Sequence, residues 1–214
     1  MKRRLALMIG GFCLSPLPQA NAHPHIFAEA RLEIVSDESG MLSELRNVWR
    51  FDEFFSSSVL LDFDHNSNLI LDPGELKEIG DTIRESLGDY DYFTFITKNG
   101  AAAPVAKPEV FNADFRDNQL LVFFVAKPKE PVKIEGNLSI GVYDPTLYTA
   151  IDFTTDDEIQ SIGSALSACT RQVVRPDPDE VIAQNQANLT EAFFNDPNGN
   201  LMGQLFATRV EFKC

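Results

Sequence analysis

The sequence alternates from Phe27 to Ser36, with Ala28, Ala30, Leu32 and Ile34 on one side and Glu29, Arg31 and Glu33 on the other. A period of two predicts a half-buried strand. Asp37-Glu38-Ser39-Gly40 reads as a turn, and Met41 to Phe51 as the returning strand, which carries the only tryptophan, Trp49. The period then changes. Phe54 to Leu61 reads as a short helix, and Pro73 to Leu87 as a longer one with Leu76, Ile79, Ile83 and Leu87 at helical spacing. After Gly88 the pattern returns to strands: Tyr92 to Thr97, Glu109 to Phe115, Leu120 to Ala126, a strand with Val132, Ile134, Leu138, Ile140 and Val142 on its apolar face, and Leu147 to Thr154. The last third predicts a strand from Cys169 to Val174, a helix from Pro178 to Phe194, a turn-rich loop from Asn195 to Asn200, and a strand from Phe206 to Lys213 with Thr208, Val210 and Phe212 inward. The fold class expected is α+β, a mainly antiparallel sandwich or barrel-like sheet with a helix-loop-helix inserted at about residues 52–88 and a C-terminal helix.

The first 22 residues do not belong to that fold. Lys2, Arg3 and Arg4 precede an apolar run from Leu5 to Leu14, followed by Pro16, Pro18 and the small-x-small pattern Ala20-x-Ala22. This is the layout of a secretory signal peptide with cleavage after Ala22. A run of about ten apolar residues falls well short of the roughly 20 that span a bilayer. The expectation is a periplasmic protein, a single domain over residues 23–214, with no membrane insertion once the signal is removed.

Cleavage there would make His23 the first residue and place His25 two positions on, two of the three histidines in the chain. Imidazole is the commonest protein ligand for zinc and also suits nickel and copper, and a terminal amine adds a third nitrogen. A square-planar terminal copper or nickel site is excluded, because it would need the amide nitrogen of residue two and Pro24 has no N–H. Two readings stand: a tetrahedral site on His23 and His25, or a pair of exposed histidines on a frayed end.

A second candidate lies between the two helices. In Asp64-His65-Asn66-Ser67-Asn68-Leu69-Ile70-Leu71-Asp72-Pro73-Gly74-Glu75, side-chain oxygens stand at positions 1, 3, 5, 9 and 12, Ile70 offers a carbonyl at position 7, and Leu71 is apolar at position 8. That is the spacing of a calcium loop. Position 6 departs from it. A glycine belongs there, because the backbone turns through the left-handed region, and the chain has Leu69. The two neutral ligands Asn66 and Asn68 also lower the charge of the set. The alternative is a helix-turn-helix in which Asp and Asn cap backbone groups, with Asp72 and Pro73 starting the second helix.

Charge and cysteine usage narrow the class. A net charge of −14, made more negative by removal of the signal, disfavours nucleic acid and anionic lipid and favours cations. Hydrophobic content of 44 % with 17 Phe is that of a chain with a real core. Cys13 leaves with the signal, and Cys169 and Cys214 remain as an even pair. In an oxidising compartment they are expected to form a disulfide; two thiolate metal ligands are the alternative. No glycine-rich phosphate loop, His-Glu-x-x-His or nucleophile elbow is found in the sequence, and no enzymatic activity is expected.

His-Pro-His at residues 23–25 running into a strand, Trp-x-Phe-Asp at 49–52, the Glu75-Leu76 end of the loop, and Tyr143-Asp144-Pro145-Thr146 leading to Ile151-Asp152-Phe153 together resemble a bacterial family described as a domain of unknown function or as the periplasmic component of an ABC-type transport system. Its members commonly neighbour a membrane permease of the nickel/cobalt type, and some look like the periplasmic binding subunit of a two-component zinc uptake system. The resemblance implies a protein that binds zinc, or a related divalent ion, at His23 and His25 and passes it to the permease, with Asp52 and Asp144 as candidates to complete the shell. For each of those carboxylates, turn capping is the competing role.

Overall fold

The computed structural model describes residues 24–185 and 203–214. In chain order its elements are β1 (Ile26–Ser36), β2 (Met41–Phe51), α1 (Glu53–Phe63), α2 (Pro73–Ser86), β3 (Thr94–Lys98), β4 (Ala101–Ala102), β5 (Phe111–Arg116), β6 (Gln119–Ala126), β7 (Val132–Lys133), β8 (Asn137–Val142), β9 (Thr149–Asp152), β10 (Ile159–Ile162), α3 (Ser164–Ser167), β11 (Thr170–Val174), α4 (Pro178–Asn185), α5 (Gly203–Phe206) and β12 (Arg209–Lys213). The architecture is α+β, two mostly antiparallel sheets with helices around them.

The first sheet runs β10-β1-β2-β6-β5, with β7 also beside β2 and β9 also beside β1. The second runs β11-β12-β8-β3-β4. Alternation decides which face each strand buries: Ala28, Ala30, Leu32 and Ile34 of β1 are buried, as are Leu138, Ile140 and Val142 of β8 and Val210 and Phe212 of β12. All belong to one apolar cluster. Each large side chain withdrawn from water contributes about 1.5–3 kcal/mol. Trp49 sits at the centre, edge-on to Phe124 of β6 at 4.8 Å and stacked on Phe93, just before β3, at 6.0 Å. One indole therefore joins the two sheets.

Two departures from the alternation reading have physical reasons. The residues expected to form one strand from Val132 to Val142 form two, β7 in the first sheet and β8 in the second. The chain changes sheets at Gly136, whose φ is +69°. The apolar period survives the break because both pieces face the same core, with Ile134 buried between them. Secondly, β9 and β10 both lie parallel to β1, pairing Ile26–Glu29 and Leu32–Val35 respectively. Strand alternation carries no information on the direction of pairing.

Smaller differences are local. The strand expected from Tyr92 begins at Thr94, because Asp91, Tyr92 and Phe93 take φ values of 50°, 52° and 52°. The final strand begins at Arg209, after α5, and Thr208, Val210 and Phe212 are buried. Of the helix expected from Pro178, residues to Asn185 are helical; its remainder and the loop at 195–200 lie outside the described residues. Cys169 and Cys214 form a disulfide, which ties the end of β12 to the start of β11.

Candidate functional site

The two stretches singled out by sequence lie at different places. The first is the start of β1. His23 lies outside the described residues, as does the expected cleavage position. His25 is exposed, and its N–H donates to the Tyr148 carbonyl at 2.9 Å. Its ring packs on the Tyr148 ring at a centroid distance of 5.0 Å. The parallel β1–β9 pairing that begins one residue later holds this end against the sheet.

Tyr148 is a residue that sequence reasoning passed over, and the signal for it was the turn that precedes it. Asp144 is 3 % exposed, and its carboxylate staples that turn: one oxygen accepts from the N–H and hydroxyl of Thr146, both at 2.7 Å, and the other from the Thr149 N–H at 2.9 Å. Leu147, inside the staple, has a φ of 61°. A carboxylate held by several N–H and O–H donors is well suited to fixing a turn. Asp52 has a similar occupation. It caps α1 by accepting from the Phe55 N–H at 2.9 Å, and its other oxygen accepts from the Phe27 N–H at 3.0 Å. Both carboxylates thus order main chain on either side of His25. Among the described residues, no three His, Cys, Asp or Glu side chains are grouped to hold a metal ion.

The second stretch is the α1–α2 loop. Asp64 caps the end of α1 and is buried at 8 % exposure; its carboxylate accepts from the N–H groups of Asn68 at 3.1 Å and Leu69 at 2.6 Å. Asn68 accepts from the Ile70 N–H at 2.7 Å. Asp72 caps α2, accepting from Gly74 at 2.7 Å and Glu75 at 3.0 Å. Glu75 completes a capping box: Oε2 accepts from the Asp72 N–H at 2.8 Å, and Oε1 reaches the His65 N–H at 2.9 Å. Leu69 has a φ of 60°, the left-handed conformation that position 6 of a calcium loop requires. Leu71 is buried, whereas Asn66, Leu69 and Ile70 are exposed.

Leu69 thus turns through the left-handed region, and the loop's carboxylates serve the main chain. In an occupied loop the last Glu gives both oxygens to the ion. Here each Glu75 oxygen already accepts one backbone N–H, which leaves one lone pair on each for an incoming calcium. At the second position of the loop, His65 Nε2 lies 2.9 Å from a Glu78 oxygen. That hydrogen bond, and then the charge of Glu78, raise the His65 pKa above its ordinary value.

Comparison with known proteins places the chain. It matches, over residues 8–214, the family described as proteins of unknown function DUF1007, and it belongs to that family. No curated protein matches it.

Proposed function

We propose that this DUF1007 protein is an exported, non-catalytic carrier for a divalent ion of the zinc class, which it passes to a membrane permease of the nickel/cobalt type. The observation that carries the reading is the placement of His25. Its backbone is bonded to Tyr148, its ring rests on an aromatic neighbour, and Asp52 and Asp144 brace the chain around it. An imidazole held this way loses little freedom when it takes a ligand. His23, the amine freed by cleavage, and water would supply the other donors of a tetrahedral shell. A shell open to solvent releases its ion readily, which suits transfer.

The test is calorimetric titration of the processed protein with zinc, beside a His23→Ala, His25→Ala double variant. The proposal expects the affinity to fall by at least tenfold in the variant; equal affinities would end it. Mass spectrometry of the exported protein supplies the independent check that His23 is the first residue.

The loop favours a second reading, in which the protein is an interaction module and residues 64–75 are a structural clasp. Its carboxylates close the loop by themselves, and calcium, if taken up, would add to a clasp already formed. Metal analysis of protein from its native compartment separates the two readings, since the module carries no transition metal.

A further inference from the structure

α1 is apolar on both sides, and the core uses one of them. Ser56 and Val59 are buried, and Phe55, Leu60 and Phe63 pack partly against the core. Phe54 and Leu61 are left out of it, at 86 % and 71 % exposure. Seven residues apart on a helix of 3.6 residues per turn, they stand on one stripe, about 10 Å from each other along the axis. Between them lie the exposed Ser57 and Ser58, whose hydroxyls donate back to the Glu53 and Phe55 carbonyls. Beyond the last turn, Leu69 and Ile70 are 65 % and 67 % exposed, with the Leu69 N–H held by Asp64, the C-cap of α1. A helix with apolar residues all round is ordinarily covered on every side, and large apolar side chains exposed together mark an interaction surface. Leu69 adds an independent sign: it keeps a left-handed φ of 60° at a cost that glycine would avoid, while its side chain gains little burial.

The charge around these side chains selects the occupant. From Phe51 to Leu76 the chain has no Lys or Arg and six acidic residues, Asp52, Glu53, Asp62, Asp64, Asp72 and Glu75. Glu53 and Asp62, next to Phe54 and Leu61, are exposed and make no ion pair among the described residues. A second copy would bring the same carboxylates against these, and an anionic bilayer would repel them. A neutral bilayer offers them no cation. A surface with an apolar strip bordered by Lys or Arg answers both the exposed side chains and the charge.

We propose that the outer stripe of α1, continued by Leu69 and Ile70, docks a partner protein through an apolar strip bordered by basic side chains, with Phe54 and Leu61 as the anchors and Glu53 and Asp62 as the charged rim. The surface contains neither histidine of the carrier reading and stands or falls separately from zinc binding.

The probe is a synthetic helix of leucine and lysine, about 18 residues long, with its leucines on one face. Beside it run a scrambled peptide of the same composition, a leucine-glutamate analogue, and phosphatidylcholine vesicles. Fluorescence anisotropy of each labelled peptide on the full exported chain should show saturable one-to-one binding of the leucine-lysine helix that weakens with salt. The scrambled peptide should bind about tenfold more weakly, and the glutamate analogue not at all. The Phe54→Gln, Leu61→Gln variant, changed at exposed positions, should bind the helix at least about tenfold more weakly with an unchanged circular dichroism spectrum. Ile182→Gln, at an exposed apolar residue of α4, should bind as the parent does. Glu53→Gln, Asp62→Asn should weaken binding and flatten its salt dependence. The proposal is overturned if the scrambled peptide or the glutamate analogue binds as well as the leucine-lysine helix, or if the Phe54, Leu61 variant binds unchanged. It is equally overturned if the protein adheres to the vesicles through those two side chains, or if sedimentation shows a dimer that their substitution dissociates.

Discussion

Glu75 reaches back along the α1–α2 loop to His65, accepting its main-chain N–H at 2.9 Å while the second carboxylate oxygen accepts from Asp72. One side chain thus closes the loop at both ends. Glu75 is 5 % exposed, so removing it leaves two poorly hydrated donors. Glu75→Ala is expected to lower stability by about 2–3 kcal/mol, read as a lower urea midpoint. Glu75→Gln, which keeps one acceptor, should lose less.

Leu69 offers the opposite change. Its φ is 60° and its side chain is 65 % exposed, so it bears backbone strain with little burial to offset it. Leu69→Gly relieves strain of about 1–2 kcal/mol, and the added freedom of the unfolded chain takes back about 0.5–1 kcal/mol. A gain of up to about 1.5 kcal/mol is expected. Leu69→Val, β-branched, should be less stable than the parent; thermal unfolding of the three proteins checks the order.

His65 and Glu78 form a surface pair whose effect depends on pH. Glu78 raises the folded-state pKa of His65 above 6.5 through its hydrogen bond and then its charge. A raised value in the folded state means that the pair's contribution is fully present below the unfolded pKa and is lost as pH rises through the folded one. An NMR titration of the His65 ring should therefore have its midpoint above 6.5 at low salt, returning toward it in Glu78→Gln and with added salt.

The disulfide closes a span of 45 residues. Chain-entropy arithmetic for such a loop gives roughly 4 kcal/mol as the upper value of its stabilisation. The Cys169→Ala, Cys214→Ala variant should lose up to that amount, measured by denaturant unfolding. The loss should concentrate at β11 and β12, where amide exchange would speed up most.

The reach of the sequence follows the physics of each signal. β2 spans the expected Met41–Phe51 because its inner positions, Leu42, Leu45, Trp49 and Phe51, all face one core. α2 begins at Pro73 as expected because Asp72, Pro73 and Glu75 are themselves the cap. At Leu69 the sequence departs from the glycine expected there, and the backbone takes the left-handed conformation all the same. What no local pattern could give was pairing over distance: β10 as a strand beside β1, the change of sheet at Gly136, and the apposition of Tyr148 and His25. The left-handed run at Asp91–Phe93 was hidden for another reason. Tyr and Phe ordinarily signal strand, and only tertiary packing turns them into a tight bend. For the candidate site, the sequence named His25, Asp52 and Asp144, while the donors that occupy the two carboxylates became visible only in three dimensions.

The placement of β1 sets an order of assembly. This strand is made early, yet its outer edge is completed by β9 and β10, and the Arg31–Glu158 ion pair across that edge joins residues 127 apart. Long chain closures of this kind slow folding. Until the β9–β10 stretch arrives, the nascent β1–β2 hairpin has an open flank able to pair with another chain. A helper that shields that flank would raise the yield of native protein without touching its final stability.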